Sequence, residues 1–254
     1  MFLRMPQPFH RQPGPYSLIG PACLTVACLA ANVAQAQVSG SAGIVSDYMY
    51  RGVSLSSGKA AARLSLDYDA ADGWFAGAQV VSGQLATQSQ RNAQWLGYAG
   101  YAQRLPSGLS WEAGISAYAF HAAPHWNFRE VYAGLAFGDY AARLHYAPDY
   151  LGFGNRTVYA EINGGTQLAP AWRLFWRGGF LSAPDNADSS RAEGRVGIAT
   201  ARDGWQVQLS LDAARLRGQG SDAGSDGGYG SYAGRAVSSS KVSSKLVLAL
   251  ARGF

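Results

Sequence analysis

The chain has 254 residues with 21 basic and 16 acidic side chains, 32 glycines and only two cysteines. A formal charge of +5 is too small a surplus for a nucleic-acid surface. Beyond residue 36 no stretch approaches the roughly 18 apolar residues of a spanning helix. Both cysteines, Cys23 and Cys28, lie near the start, so the rest of the chain cannot be a disulfide scaffold.

The first residues read as a secretory signal. Arg4 and Arg11 supply the positive region, residues 17–29 are mostly apolar, and Ala34-Gln35-Ala36 offers a small-residue cleavage site. Neither cysteine has a leucine three positions before it, which argues against a lipoprotein signal. The expected domains are therefore a signal peptide over residues 1–36 and a single domain over 37–254.

That domain alternates between apolar and polar residues nearly everywhere, as half-buried strands do. Trp205, Val207, Leu209, Leu211 and Ala213 share one parity, while Gln206, Gln208, Ser210 and Asp212 share the other. In chain order the predicted strands are 38–50, 59–69, 74–82, 93–104, 109–120, 128–137, 140–147, 156–168, 171–181, 191–201, 205–216 and 241–254. The connections between them run long, short, long, short. Short ones fall at 70–73, 105–108, 138–139, 169–170 and 202–204; longer ones include 82–91, 148–155, 182–190 and the Gly/Ser-rich 218–240. Tight turns at one end and long loops at the other are the mark of an outer-membrane barrel. The fold class is accordingly all-β, a closed transmembrane antiparallel β-barrel of about 12 strands, with 10 to 14 as the range.

Tyrosine and tryptophan gather at strand ends, where an apolar ring with a polar tip suits a membrane boundary. Tyr48, Tyr50, Trp74, Trp95, Trp111, Tyr140, Tyr146, Trp172 and Trp205 form the expected girdle. The opposite parity would line a lumen, and it carries Asp47, Arg51, Arg63, Asp67, Glu112, Glu130, Arg143, Glu161, Arg173, Arg177, Glu193, Arg195, Asp212 and Lys245. Rings of opposite charge around a wet constriction select small polar solutes; the same charges could instead pair across strands and merely fill the barrel. Arg173 and Arg177 have no carboxylate on their own strand and stand out as an anion-favouring patch.

Two stretches carry a family resemblance. The end, L-V-L-A-L-A-R-G-F, places Leu246, Leu248 and Leu250 on one parity and closes on Phe254, similar to the signal read by the outer-membrane assembly machinery. The opening, V-S-G-S-A-G-I-V-S-D-Y-M-Y-R-G-V-S, with Trp74-Phe75-Ala76-Gly77 following, resembles the start of the TorF porin family. That resemblance implies a barrel in the outer membrane of a Gram-negative bacterium with channel activity, and names no solute.

The expected function is passive diffusion of small polar or ionic solutes through an outer-membrane porin. A non-conducting barrel, serving as adhesin or structural anchor, is the alternative. An outer-membrane lipid-modifying enzyme ranks last. His145 points inward by parity, His121 and His125 sit in a proline-containing loop without a carboxylate at ligand spacing, and no serine stands out as a nucleophile. No catalytic residue, metal or cofactor is assigned. The expected partners are outer-membrane lipids and lipopolysaccharide, the assembly machinery and small solutes, with nucleic acid excluded and the oligomeric state open.

Overall fold

In the computed structural model, residues 37–83, 92–185, 189–216 and 242–254 are described. The expected signal peptide with Cys23 and Cys28, the 218–240 loop and nearly all of the 82–91 loop lie outside the described residues.

The strands are β1 Gln37–Val45, β2 Met49–Tyr50, β3 Val53–Ser54, β4 Ala61–Asp69, β5 Trp74–Gly83, β6 Asn92–Arg104 and β7 Ser110–Phe120. They continue with β8 Phe128–Phe137, β9 Tyr140–Ala147, β10 Thr157–Ala169, β11 Trp172–Ser182, β12 Arg191–Arg202, β13 Trp205–Leu216 and β14 Val242–Gly253. Twelve of them form one closed antiparallel barrel, each pairing with its neighbour in the chain, while β2 and β3 form a separate two-stranded hairpin. Closure leaves no unpaired edge, which is the condition for strands to survive in hydrocarbon. Among the described residues no helix is long and apolar enough to cross a membrane.

The last strand seals on the first. Ser41 faces Gly253 and Val45 faces Ala249 across the β1–β14 seam. Gly40 and Phe254 exchange both backbone hydrogen bonds at 3.0 Å. The Phe254 ring lies over Gly40 so closely that a Cβ there would come within 2.5 Å of it.

The two surfaces are inverted relative to a water-soluble barrel. Val38, Ile44, Leu64, Leu66, Ile115, Leu135, Leu144, Ile162, Leu246 and Leu248 are exposed on the outer face. Most charged strand residues occupy the inward parity, and Arg129, Arg202, Arg215 and Arg252 lie on the outward parity near strand ends. Trp74, Trp95, Tyr140, Tyr146, Trp172 and Trp205 are exposed outward at strand ends, and Trp111 is outward and half-buried. Packing follows from the alternation, because a period of two sends each strand's apolar set to one side.

Tight turns close one end. Between β12 and β13, Asp203 and Gly204 have φ of 52° and 79°. Positive φ at both central residues makes a type I′ turn, whose twist matches that of the flanking strands.

The first strand departs from expectation. Continuous alternation predicts a strand over 38–50, yet β1 stops at Val45. Asp47 is the reason: its Oδ1 accepts hydrogen bonds from Ser54 Oγ at 2.5 Å and Ser56 Oγ at 2.9 Å, folding the chain back. The alternation of residues 47–50 belongs to the β2–β3 hairpin, not to the barrel wall.

Candidate functional site

Residues 46–60 link β1 to β4 at the long-loop end, and they fold into the lumen. Tyr48 and Tyr50 are 6% and 4% exposed. Both were expected in the outer girdle; the structure corrects that placement, because the chain has already left the wall when it reaches them. Val53 and Leu55 are buried with them, beside Val81, Leu96, Tyr118, Phe128, Tyr150 and Leu181. Burying an aliphatic or aromatic side chain of this size contributes roughly 1.5–3 kcal/mol, so the hairpin is held in place largely by its own apolar face.

The hairpin turns at Arg51-Gly52, with φ of 46° and 78°. This is again a type I′ turn, and here it requires Gly52 for a second reason. A Cβ at Gly52 would lie 2.8 Å from Ala214 Cβ on β13 and 2.9 Å from Glu193 Cβ on β12. The turn therefore presses its backbone against the wall.

From this tip the Arg51 side chain crosses to β8, five strands from β1 one way round the ring and seven the other. Its Nη2 donates to both carboxylate oxygens of Glu130, at 2.9 and 2.8 Å. The two side chains are 5% and 0% exposed. Glu130 also accepts from Tyr118 Oη at 3.0 Å. His145 Nδ1 lies 3.0 Å from Glu130 Oε1, and since an ionised carboxylate only accepts, the ring donates there. The guanidinium carbon sits 4.3 Å from the centre of the Tyr159 ring and 5.1 Å from that of Tyr50. Arg191 Nε donates to the Arg51 carbonyl at 2.8 Å, and its Nη2 donates to Tyr150 Oη at 3.0 Å.

Desolvation offsets much of the Coulomb attraction in such a pair. Its effect lies in the alternatives: leaving one partner buried alone costs about 3–5 kcal/mol. The pair thus fixes where the hairpin sits more than it adds to stability.

Most residues of S-D-Y-M-Y-R-G-V-S now have a physical task. Asp47 gathers Ser54 and Ser56, Ser56 Oγ accepts from the Tyr48 backbone at 2.8 Å, and Ser54 Oγ accepts from the Gly58 backbone at 3.0 Å. The tyrosines fill the lumen, Arg51 reaches Glu130, and Gly52 allows the turn. Sequence reasoning placed Asp47 and Arg51 on the lumen side but missed the hairpin. The available signal was the X-Gly pair flanked by short alternating runs, weaker than Asn-Gly because arginine rarely takes positive φ.

The short-turn half of the lumen is different. Arg143 Nε donates to Glu112 Oε1 at 2.6 Å and Tyr98 Oη donates to Asp67, while Arg195 pairs with Asp212 nearer the long-loop end. Arg63 and Lys245 point inward near the long-loop end, and Lys245 Nζ lies 3.5 Å from Asp47 Oδ2. Glu161 stands beside Arg143 in the β9–β10 register. The expected anion patch is corrected here. Arg177 Nη2 donates to Glu193 Oε2 on the next strand at 2.9 Å, and Arg173 Nη2 donates to Asp139 in the β8–β9 turn at 3.0 Å. Carboxylates absent from their own strand reach both arginines from elsewhere, which a one-strand reading could not see. Among the described residues no cluster of histidine, cysteine and carboxylate side chains could hold a metal ion.

The barrel has known counterparts. A KdgM porin superposes with a TM-score of 0.51 at 14% identity, covering 85% of this chain and 99% of that one. A NanC porin does so with a TM-score of 0.51 at 14% identity, covering 86% of this chain and 99% of that one. At this identity the likeness speaks to the fold. No functionally curated protein matches the sequence. A family described as "Bacterial protein of unknown function (Gcw_chp)" matches residues 30–208, a span that contains the hairpin, Glu130, His145, Tyr159 and Arg191. On that match the chain belongs to the Gcw_chp family.

Proposed function

We propose that the protein is an outer-membrane channel of the porin class whose resting lumen is obstructed by its own 46–60 segment. The outward apolar belt and closed strand pairing suit a bilayer. The short-turn half of the lumen, lined by paired but partly hydrated charges, suits small polar or ionic solutes. One observation carries the reading: the Arg51–Glu130 pair, 2.8 Å long and buried, fastens a hairpin across the pathway. The TorF resemblance of the opening motif fits the same assignment. So does the Phe254 terminus as a mark for the assembly machinery, with lipid and lipopolysaccharide as the surroundings, tight turns toward the periplasm and a signal peptide ending at Ala36.

The experiment is a comparison of conductance in planar bilayers. Val45 and Ala61 already face each other across β1 and β4, so a tight turn can replace residues 46–60 without moving the wall. The shortened barrel should conduct in large, steady steps and the native barrel in steps roughly tenfold smaller. A shortened barrel that assembles yet conducts no more than the native one contradicts the channel reading. The anchor or adhesin reading draws its support from the buried cluster that fills the long-loop half, and it would then stand.

A further inference from the structure

We infer that whatever crosses the resting barrel does so along one side of the hairpin, in the seam it leaves against β13, β14 and β1. This rests on the channel reading above and adds the route.

The hairpin is fastened unevenly. Toward β7 through β12 it makes the Arg51–Glu130 pair, accepts from Arg191 and packs against the rings of Tyr118, Tyr150 and Tyr159. Its tip touches Ala214. Beside its first arm, residues 47–49, the opposite wall leaves a gap instead. Val45, Arg63, Arg195, Gln208, Ser210 and Val247 of the wall border a cavity of about 30 Å³ there, room for roughly one water molecule.

Along this seam the Lys245 side chain is 46% exposed, Arg195 17% and Asp47 only 5%. Asp47 is the waist. Its Oδ1 is taken by Ser54 and Ser56, while Oδ2 accepts no hydrogen bond among the described residues and has the Lys245 ammonium at 3.5 Å. A narrow gap with an acceptor oxygen in it and a movable cation at its mouth passes water and small monovalent ions. Anything larger requires the hairpin to leave.

Ala249, on the β14 wall of the cavity, is 6% exposed. Ala249→Leu fills the gap with apolar volume and removes no polar group. It should lower the small native conductance in potassium chloride by roughly tenfold, yet leave the shortened barrel's large steps within about twofold. An unchanged native conductance overturns the seam while leaving the channel reading intact. So does a native barrel with no conductance beside a shortened barrel that conducts. A labelling experiment covers poor assembly of the leucine variant. In detergent, a cysteine at Gln208 should react with a small thiosulfonate at least tenfold faster than one at Ser116, beside Glu130 on the gripped wall. Equal rates overturn the inference.

Discussion

The two halves of the lumen solve the problem of inward charge in opposite ways. In the long-loop half, Arg51, Glu130 and His145 are sealed from water and each charge has a partner within about 3 Å. In the short-turn half, Arg143–Glu112 and Arg173–Asp139 keep part of their hydration, with Glu112 25% and Asp139 57% exposed. Hydrated pairs contribute little and can be exchanged; a sealed pair cannot lose one member cheaply. The difference teaches where the barrel is committed to one arrangement and where it can vary.

Breaking the sealed pair should have the largest effect. Glu130→Ala leaves Arg51 buried alone and should cost about 3–5 kcal/mol in denaturant unfolding of the detergent-solubilised barrel. It should also expose residues 46–60 to proteases that do not cut the native protein. A native-like midpoint would mean that the hairpin does not rest on this pair. Gly52→Ala comes next. The new Cβ meets Ala214 and Glu193 at a φ of 78°, which should cost about 1–3 kcal/mol by the same measurement. Arg143→Ala, in the wetter half, should cost only about 1 kcal/mol, since Glu112 can be hydrated in its place. That variant should still shift the ion preference of the shortened barrel toward cations, measured as a reversal potential in a salt gradient.

The smallest effect belongs to the loops above the barrel. Arg156 holds Asp185 by its side chain at 2.9 and 2.6 Å and by its backbone N–H at 3.0 Å. Those hydrogen bonds, side-chain ones first, bring the Asp185 carboxyl down to about 2. A lowered carboxyl contributes above its ordinary value and loses that contribution as pH falls through about 2. This clasp should therefore loosen only near pH 2, seen as faster amide exchange at 156–157. Loosening at pH 5 would contradict it. Both groups are solvent-exposed, so global stability should not register the change.

Much of the fold was legible because a barrel states itself twice, in the alternation and in the sorting of turns from loops. The strands from 59–69 to 241–254 fall within two residues of their expected ends. The plug was not legible, since Tyr48, Met49 and Tyr50 alternate as well in a hairpin as in a wall. Parity assigned Glu130 and His145 to the lumen, yet nothing in a linear pattern tells that Arg51, 79 residues away, lands on Glu130. Arg177 taught the same lesson: its partner Glu193 is a neighbour through the sheet and not along the strand.

The placement of the hairpin inside the barrel is tested most directly by a cross-link. Cysteines at Gly52 and Ala214 would bring their Cβ atoms together across the lumen, where the two positions already touch. A control pair at Gln208 and Ala249, facing each other on β13 and β14, reports that the strands are assembled and the oxidant works. Oxidation in isolated outer membranes should form both bridges, seen as a mobility shift that reducing agent reverses. Formation of the control bridge alone would put residues 46–60 outside the lumen and contradict the plug.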